Sequence, residues 1–426
     1  MLNNNIVRKS LSEGINFTYI PEDKFKTSFI SFSIFSPLDN KYVSANALLS
    51  SLLAHSCKKL PKLSDISKKL ENLYGASIHP SVTKLGESQV ISLCATGLNS
   101  KYSLDDKNNI LELTDILCDM IFDPDISNNK FNNIENFNQE KRQLIEDINS
   151  ELNNKKAYAK KRCTEIMCTD EKFSINSLGT VEQAENLTPE FVFQAWQKLL
   201  SESRIEIIIT GSISCEQIIN EFEKRFSKIT RKNIVSCGTE IIKKSSDIKN
   251  HVEYMDLTQS KLVMGFRTEI SVSDPDVYAM IVMNCLYGGG AQSKLFLNVR
   301  EKQSLCYYCS SKYNKHKAII LVESGVEHDN IDKAKQGILE QLKEIQIGNF
   351  TDSELQEIKL YISQSLKHTK DSLESLNTWY LSQVFSDTKE TPDEVIEKIN
   401  QVSREKIIEI SNKISLDTVY VLTNNK

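Results

Sequence analysis

The sequence predicts an α+β protein with two homologous domains, each a mainly antiparallel sheet with helices packed on one face. Three observations predict this fold class. Strand and helix patterns follow one another in mixed order, the same order occurs twice along the chain, and a polar stretch rich in Lys, Ser and Asn separates the two copies. We therefore expect domains at residues 1–227 and 251–426, with a linker at residues 228–250.

The strand patterns of the two halves match. Each half opens with alternating apolar residues, which is typical of a half-buried strand. These residues are Ile30, Phe32 and Ile34 in the first half and Leu262, Met264 and Phe266 in the second. A later strand is predicted at residues 90–97 and again at 318–325, and 228 residues separate Gly97 from Gly325.

The helix patterns match as well. Apolar residues at helical spacing predict two successive helices in each half, and a further helix then leads into a closing strand. Thr188 and Ser403 suit the N-caps of these last helices, because a hydroxyl can accept a bond from a free backbone N–H. The predicted helices are 110–121, 131–152, 331–347 and 352–367, and the closing strands are 204–210 and 417–423.

Composition excludes several classes of protein. The 426 residues suffice for two to four domains, and 40% hydrophobic with 26% charged residues is ordinary for a globular chain. A net charge of −5 with mixed signs provides no basic surface for nucleic acid. No apolar run approaches the ~20 residues of a membrane span, and the first residues lack the apolar core of a secretory signal. We expect a cytoplasmic protein.

The ten cysteines show no regular framework of short spacings. Cys306 and Cys309 form a Cys-x-x-Cys pair in a predicted strand, but no second pair completes a zinc knuckle. Cys163 and Cys168 on a predicted helix also lack partners. Free buried thiols in a reducing compartment are therefore the expectation.

One segment carries a family resemblance. Residues 288–307 read Gly-Gly-Gly-Ala-Gln-Ser-Lys-Leu-Phe-Leu-Asn-Val-Arg-Glu-Lys-Gln-Ser-Leu-Cys-Tyr. This run resembles the second-domain signature of the pitrilysin/insulinase-type zinc peptidases, which include the mitochondrial processing peptidase. The resemblance extends in order and length over nearly the whole chain and implies a processing-peptidase-like duplication.

The first half lacks the zinc motif of that family, His-x-x-Glu-His. Two histidines of one site must lie three or four residues apart on a helix, whereas the closest pair here, His316 and His328, is twelve residues apart. Alignment with the family places Ala47 and Ser51 at the two histidine positions and Ser50 at the general-base position. His55 lies outside that frame and is interpreted as a surface or boundary residue.

The family's third zinc ligand would correspond to Glu146, in a run that resembles the family's glutamate-bearing helix. An ordinary polar helix residue is an equally acceptable interpretation of Glu146. One carboxylate does not hold a catalytic zinc, which takes three protein ligands. We therefore predict neither a metal nor another cofactor.

The glycines Gly288, Gly289 and Gly290 do not form a nucleotide site, because no Gly-Lys-Ser/Thr follows them and a helix precedes them. They are consistent with a helix C-cap and turn. The resemblance instead implies a mobile, substrate-facing loop. It also assigns contacts with the substrate backbone to Arg300 and Tyr307, whose guanidinium and phenol donors suit peptide carbonyls or a carboxylate.

These features predict a noncatalytic subunit that binds polypeptide in a chamber shared with a zinc-bearing homologue. The chain most resembles the YfmF-type members found beside an active-looking sister in bacteria, and that resemblance implies a link to modification of translation elongation factor P. Two alternatives stay open: a metallopeptidase with unrecognised ligands, and a homodimeric scaffold or peptide-binding protein.

Overall fold

The computed structural model describes residues 6–104 and 107–424, which form two compact units. Unit 1 consists of Met1–Asn149, Ile175–Gly238 and Lys370–Phe385, and unit 2 of Ser150–Ser174, Thr239–Thr369 and Ser386–Lys426. The main change of unit, after Gly238, falls inside the predicted linker. Two segments cross over between the halves of the sequence. Ser150–Ser174 of the first half belongs to unit 2, and Lys370–Phe385 of the second half belongs to unit 1. The domain bounds 1–227 and 251–426 stay a prediction.

The described residues of unit 1 contain a six-stranded sheet of order β1-β2-β8-β3-β5-β4. All neighbouring strands are antiparallel except β2 and β8, which are parallel. A short hairpin, β6 with β7, lies outside this sheet. The strands are β1 (Val7–Ser12), β2 (Ile15–Pro21), β3 (Thr27–Pro37), β4 (Ser77–Leu85), β5 (Ser88–Leu98), β6 (Ile126–Ser127), β7 (Lys130–Phe131) and β8 (Arg204–Gly211).

Helices cover both faces of this sheet, and the residues of its central strands are buried on both sides. Phe32 of β3 stacks on Phe222 and Phe226, with ring centroids 6.1 and 6.2 Å apart. On the opposite face, Ser31 Oγ donates to Asn377 Oδ1 at 2.7 Å. The helices are α1 (Val43–His55), α2 (Leu63–Glu71), α3 (Asn109–Phe122), α4 (Ile134–Ser150), α6 (Val181–Glu185), α7 (Pro189–Glu202), α8 (Glu216–Phe226) and α12 (Leu373–Phe385).

Unit 2 repeats the strand order of unit 1. Its sheet, within the described residues, has five strands in the order β11-β12-β10-β13-β9. Only β13 and β9 are parallel, so this pair corresponds to β8 and β2. The strands are β9 (Lys249–Tyr254), β10 (Ser260–Arg267), β11 (Cys306–Asn314), β12 (Ile319–Val326) and β13 (Ser415–Thr423).

Helices also cover both faces of the second sheet. Phe266 of β10 meets Tyr287 edge-on, with centroids 6.5 Å apart. Val263 of the same strand packs with Ala159 and Cys163. The helices are α5 (Lys155–Met167), α9 (Val277–Gly288), α10 (Ile331–Gln346), α11 (Asp352–His368), α13 (Pro392–Gln401) and α14 (Arg404–Ser411), with a π-helix at Leu295–Lys302.

The predicted fold class is confirmed. The structure adds one feature to it, helical cover on the second face of each sheet, where α12 packs in unit 1 and α5 in unit 2. The predicted hydroxyl caps are present, since Thr188 accepts from Phe191 N–H and Ser403 from Lys406 N–H. Among the described residues, no helix combines the length and the apolar character that a membrane crossing needs.

Candidate functional site

The three positions that the family resemblance assigns to the zinc motif, Ala47, Ser50 and Ser51, lie on helix α1 in unit 1. Ala47 and Ser50 are buried, and the Ser50 hydroxyl donates to the Ala47 carbonyl at 3.0 Å. Ser51 is half-buried. Helix α1 is apolar along most of its length and most of its residues are buried, so it serves as a core helix of the unit.

Glu146 lies on α4 and is exposed. The buried carboxylate of that helix is instead Glu140, whose Oε1 lies 2.8 Å from Nδ1 of the half-buried His55. This pair joins the end of α1 to α4. The sequence did not predict it, although Glu140 opens the same run that contains Glu146.

The residues at these positions do not fit a catalytic zinc ion. The side chains at 47, 50 and 51 are a methyl group and two hydroxymethyl groups, whereas a catalytic zinc site needs three protein ligands such as imidazoles and carboxylates. Within residues 6–104 and 107–424, no group of three or more His, Cys, Asp or Glu side chains is arranged to hold a metal ion.

The glycine segment of unit 2 ends helix α9. Gly288 is its last residue, and Gly289 is the C-cap with φ −85° rather than a left-handed conformation. Position 288 requires glycine because the backbone at Ser311 passes close to it. A Cβ at 288 would lie 2.6 Å from the Ser311 backbone nitrogen. A Cβ on Gly290 would lie 3.3 Å from the ring of Tyr361, which is 40% exposed.

Arg300 lies on the π-helix Leu295–Lys302, a conformation that is rare and frequent at functional sites. Its guanidinium carbon lies 4.4 Å from the centroid of the Phe296 ring. Its side chain is 37% exposed, and the nearest carboxylate, that of Glu301, is 3.5 Å from Nε. Stacking on Phe296 restricts the guanidinium, while its N–H donors stay largely available to a ligand.

Tyr307 is presented to solvent by a β-bulge. Cys306 pairs with Val326 and Tyr308 with Gly325, so Tyr307 has no partner in the ladder and is 61% exposed. Its hydroxyl donates to Glu327 Oε1 at 2.6 Å. This hydrogen bond and the carboxylate charge raise the pKa of Tyr307, and the single phenolic proton is directed at Glu327.

A buried pair of thiols lies beside these residues. A hydrogen bond from Cys309 lowers the pKa of the Cys306 thiol to about 7, and the charge of Arg300 acts in the same direction. Arg300 is therefore close enough to influence the start of β11. The ten cysteines, all within the described part of the chain, are free. The sequence predicted free thiols and identified the Cys306–Cys309 spacing, but it did not predict the lowered pKa of Cys306.

Comparison with known proteins connects both sites to one family. Residues 186–361 match the family model described as the peptidase M16 inactive domain. The chain is 29% identical to a protein of Bacillus subtilis (strain 168) named probable inactive metalloprotease YmfF, over 97% of each chain. The chain is thus similar to the M16 inactive domain over residues 186–361, and over nearly its full length to a protein named as an inactive metalloprotease. The relative bears the name YmfF, whereas the predicted subgroup name was YfmF.

Solved structures share this M16 fold over the full length. A conserved protein from Enterococcus faecalis V583 superimposes with a TM-score of 0.92 and 27% identity, covering 99% of both chains. A peptidase M16 inactive domain from Pseudomonas fluorescens has a TM-score of 0.78 and 14% identity, also covering 99% of both chains. These comparisons confirm the family resemblance and the interpretation of the chain as an inactive homologue of a zinc metallopeptidase.

Proposed function

We propose that this chain is the noncatalytic subunit of an M16-type peptidase assembly. In this proposal it binds or orients polypeptide in a chamber shared with a zinc-bearing homologue, through Arg300, Tyr307 and the glycines Gly288, Gly289 and Gly290. The subgroup resemblance adds a cytoplasmic setting and an association with elongation factor P modification as expectations.

One observation carries the proposal: the chain contains no His-x-x-Glu-His motif but exposes the side chains of Arg300 and Tyr307 to solvent. Ala47 and Ser50 are buried in the core of unit 1. Arg300 and Tyr307 are instead held outward by a π-helix and a bulge, both irregular elements that interrupt ordinary backbone pairing. A purely structural arginine would be expected to satisfy its donors internally, as Arg267 does in the same unit.

The chemistry fits substrate orientation. A guanidinium and a phenol can hold a peptide carbonyl or carboxylate without taking part in bond cleavage. Catalysis depends on interactions made in the transition state, whichever chain supplies them. The exposed ring of Tyr361 beside Gly290 adds surface against which a polypeptide can pack.

Replacement of Arg300 by alanine tests the proposal. The variant should bind extended peptides more weakly by about 1.5 to 3 kcal/mol, the value of one charge-assisted hydrogen bond. If a zinc-bearing homologue copurifies, its turnover should fall by a matching factor. The measurement is the affinity for a library of labelled extended peptides, together with partner turnover.

Lys302→Ala is the matched control, because it removes one positive charge from the same π-helix at an exposed position. It should leave peptide affinity unchanged, and thermal melting should show that both variants are folded. Unchanged binding and turnover in Arg300→Ala at unchanged stability would make Arg300 structural, and the homodimeric scaffold would then become the better hypothesis.

A further inference from the structure

A cleft in unit 1, apart from every residue assigned above, has an apolar floor. Its volume is about 550 Å³, which is within the range of small-molecule sites. The apolar lining consists of Phe122, Trp196, Leu200 and Ile229. The Trp196 indole N–H donates to the Ile121 carbonyl at 2.9 Å, so the ring is fixed and its only polar atom is already satisfied.

Positive charge at the rim of this cleft lacks an internal counterion. Arg225 contributes no free positive charge, because its guanidinium forms ion pairs of 2.6 to 2.8 Å with Glu221, Asp123 and Asp119, of which Asp123 also lines the cleft. Lys228 and Lys232 also line the cleft and are exposed. Within the described residues, neither lysine forms an ion pair, so their charges are available to a ligand.

We propose that this cleft binds an apolar carboxylate, that is, an aromatic or branched aliphatic group that carries one carboxyl group. The apolar group would lie against Trp196 and Phe122, and the carboxylate would face Lys228 and Lys232. A neutral ligand would leave both lysines without a partner, and a bare anion such as phosphate would leave the apolar floor in water. Only a ligand with both parts matches the lining.

Two sources supply this chemistry, a free organic acid and the C-terminal residue of a polypeptide. The probes are therefore N-acetylphenylalanine, its neutral amide, and a peptide that ends in phenylalanine with a free carboxylate. Calorimetry with the unaltered protein measures each affinity. The chain has two tryptophans, so a Trp379→Phe variant makes Trp196 the sole fluorophore and reports whether binding occurs at this cleft.

The acid should bind at least about 10-fold more tightly than the amide, as expected for one charge-assisted contact. It should also change the Trp196 fluorescence in a saturable manner. The double variant Lys228→Gln, Lys232→Gln should lose the preference for the acid. The matched variant Lys62→Gln, Lys68→Gln removes two exposed charges elsewhere in unit 1 and should keep it.

Tighter binding of the peptide than of the acid would identify a polypeptide C-terminus as the ligand, and equal binding would identify a free acid. Both results support the site. Equal affinity for acid and amide would overturn the proposal, as would an unchanged Trp196 signal at millimolar acid. Retention of the acid preference in a folded Lys228→Gln, Lys232→Gln variant would overturn it as well.

Discussion

At the scale of single residues, two of the three positions assigned to the zinc motif are buried, whereas Tyr307, assigned to substrate contact, is exposed. Ala47 and Ser50 are 3% and 2% exposed and serve as packing residues of α1. Tyr307, at 61% exposed, has the opposite environment. These two positions assigned to the zinc motif are therefore closed to solvent in this chain, whereas Tyr307 is accessible to it.

The residue whose identity is most tightly set by geometry is Gly288. Gly288→Ala should lower the free energy of unfolding by about 1–3 kcal/mol, because the new Cβ would meet the Ser311 backbone and the Leu295 side chain at 2.6 and 2.7 Å. Chemical denaturation measures this. Gly337→Ala is the control: it lies within α10, and its nearest neighbour is the movable end of Gln303 at 3.0 Å.

Alanine at 337 should be neutral or stabilising by up to about 1 kcal/mol, since glycine is unfavourable inside a helix. Equal losses in both variants would show that the close approach at Gly288 is not the determining factor.

At the residue scale, the sequence predicted which residues are candidates for the site, but not whether their side chains are buried or exposed. Arg300 and Tyr307 were selected by their motif, and nothing in the motif indicated the π-helix or the bulge that exposes them. Glu146 was selected by alignment, yet the carboxylate that α4 buries is Glu140. Burial depends on which helix face meets the core, and a shift of six residues along a helix changes that face.

At the scale of elements, a buried group of four charges joins the end of α5 to the sheet of unit 2. Arg267 pairs with Glu171 at 2.6 Å and with Asp417 at 2.9 Å, and Lys317 pairs with Glu171 at 2.6 Å. Arg267 also donates to the Met167 carbonyl at 3.1 Å. All four side chains are nearly inaccessible to solvent, so each charge depends on its partners.

Glu171→Gln should destabilise unit 2 by about 3–5 kcal/mol, because it leaves two buried cations with one carboxylate. Chemical denaturation measures the loss. Glu165→Gln is the control, since Glu165 pairs with Arg162 at a partly exposed position, where an ion pair contributes about 0–1 kcal/mol. A loss below 1 kcal/mol in Glu171→Gln would show that the group is not required for stability.

The pH dependence of stability provides a second test of the same group. Burial alone would raise the pKa of Glu171, but hydrogen bonds from Arg267 and Lys317 outweigh it and lower the pKa below the usual value of 4.5. A lowered folded-state pKa gives stability that is present above the unfolded pKa and is lost as the pH falls through the folded one.

The wild type should therefore lose this contribution in the acid range below about pH 4.5, and Glu171→Gln should lack that part of the titration. Denaturation across this range measures the difference. Parallel pH profiles for the two proteins would contradict the assignment.

The spacing of apolar residues largely predicted which segments are helices and which are strands. It did not predict which sheet each helix packs on. Alternation in residues 30–34 predicted β3, and helical spacing predicted α3, α10 and α11. The sequence did not indicate that Lys155–Met167 packs on the second sheet or that Leu373–Phe385 packs on the first. An amphipathic helix specifies that an apolar surface must be covered, but several sheet faces satisfy that requirement.

At the scale of the whole molecule, the two sheets share one strand order, including the single parallel pair at corresponding positions. The units nevertheless exchange segments along the sequence. Residues 150–174 belong to unit 2 and residues 370–385 to unit 1. The repeated strand order was predictable from the matching patterns of the two halves. The exchange of segments was not, because the spacing of apolar residues within a helix does not show which unit the helix joins.

The exchange predicts the behaviour of a chain cut between Gly238 and Thr239. A fragment of residues 1–238 lacks α12, so Ile20 and Ile208 lose their cover from Leu376 and Tyr380. Each fragment alone should be markedly less stable than the intact chain, and coexpression should yield a complex of the two. Copurification and thermal melting measure this. A fragment 1–238 that melts alone at the temperature of the intact chain would contradict the exchange.

The central claim is that this M16 homologue contributes binding rather than hydrolysis. Its most direct test is the zinc content of protein purified without a histidine tag, measured together with chelator-sensitive peptide cleavage. With Ala47, Ser50 and Ser51 at the motif positions, we expect far less than one zinc per chain and no chelator-sensitive cleavage. Stoichiometric zinc accompanied by cleavage that a chelator abolishes would contradict the account.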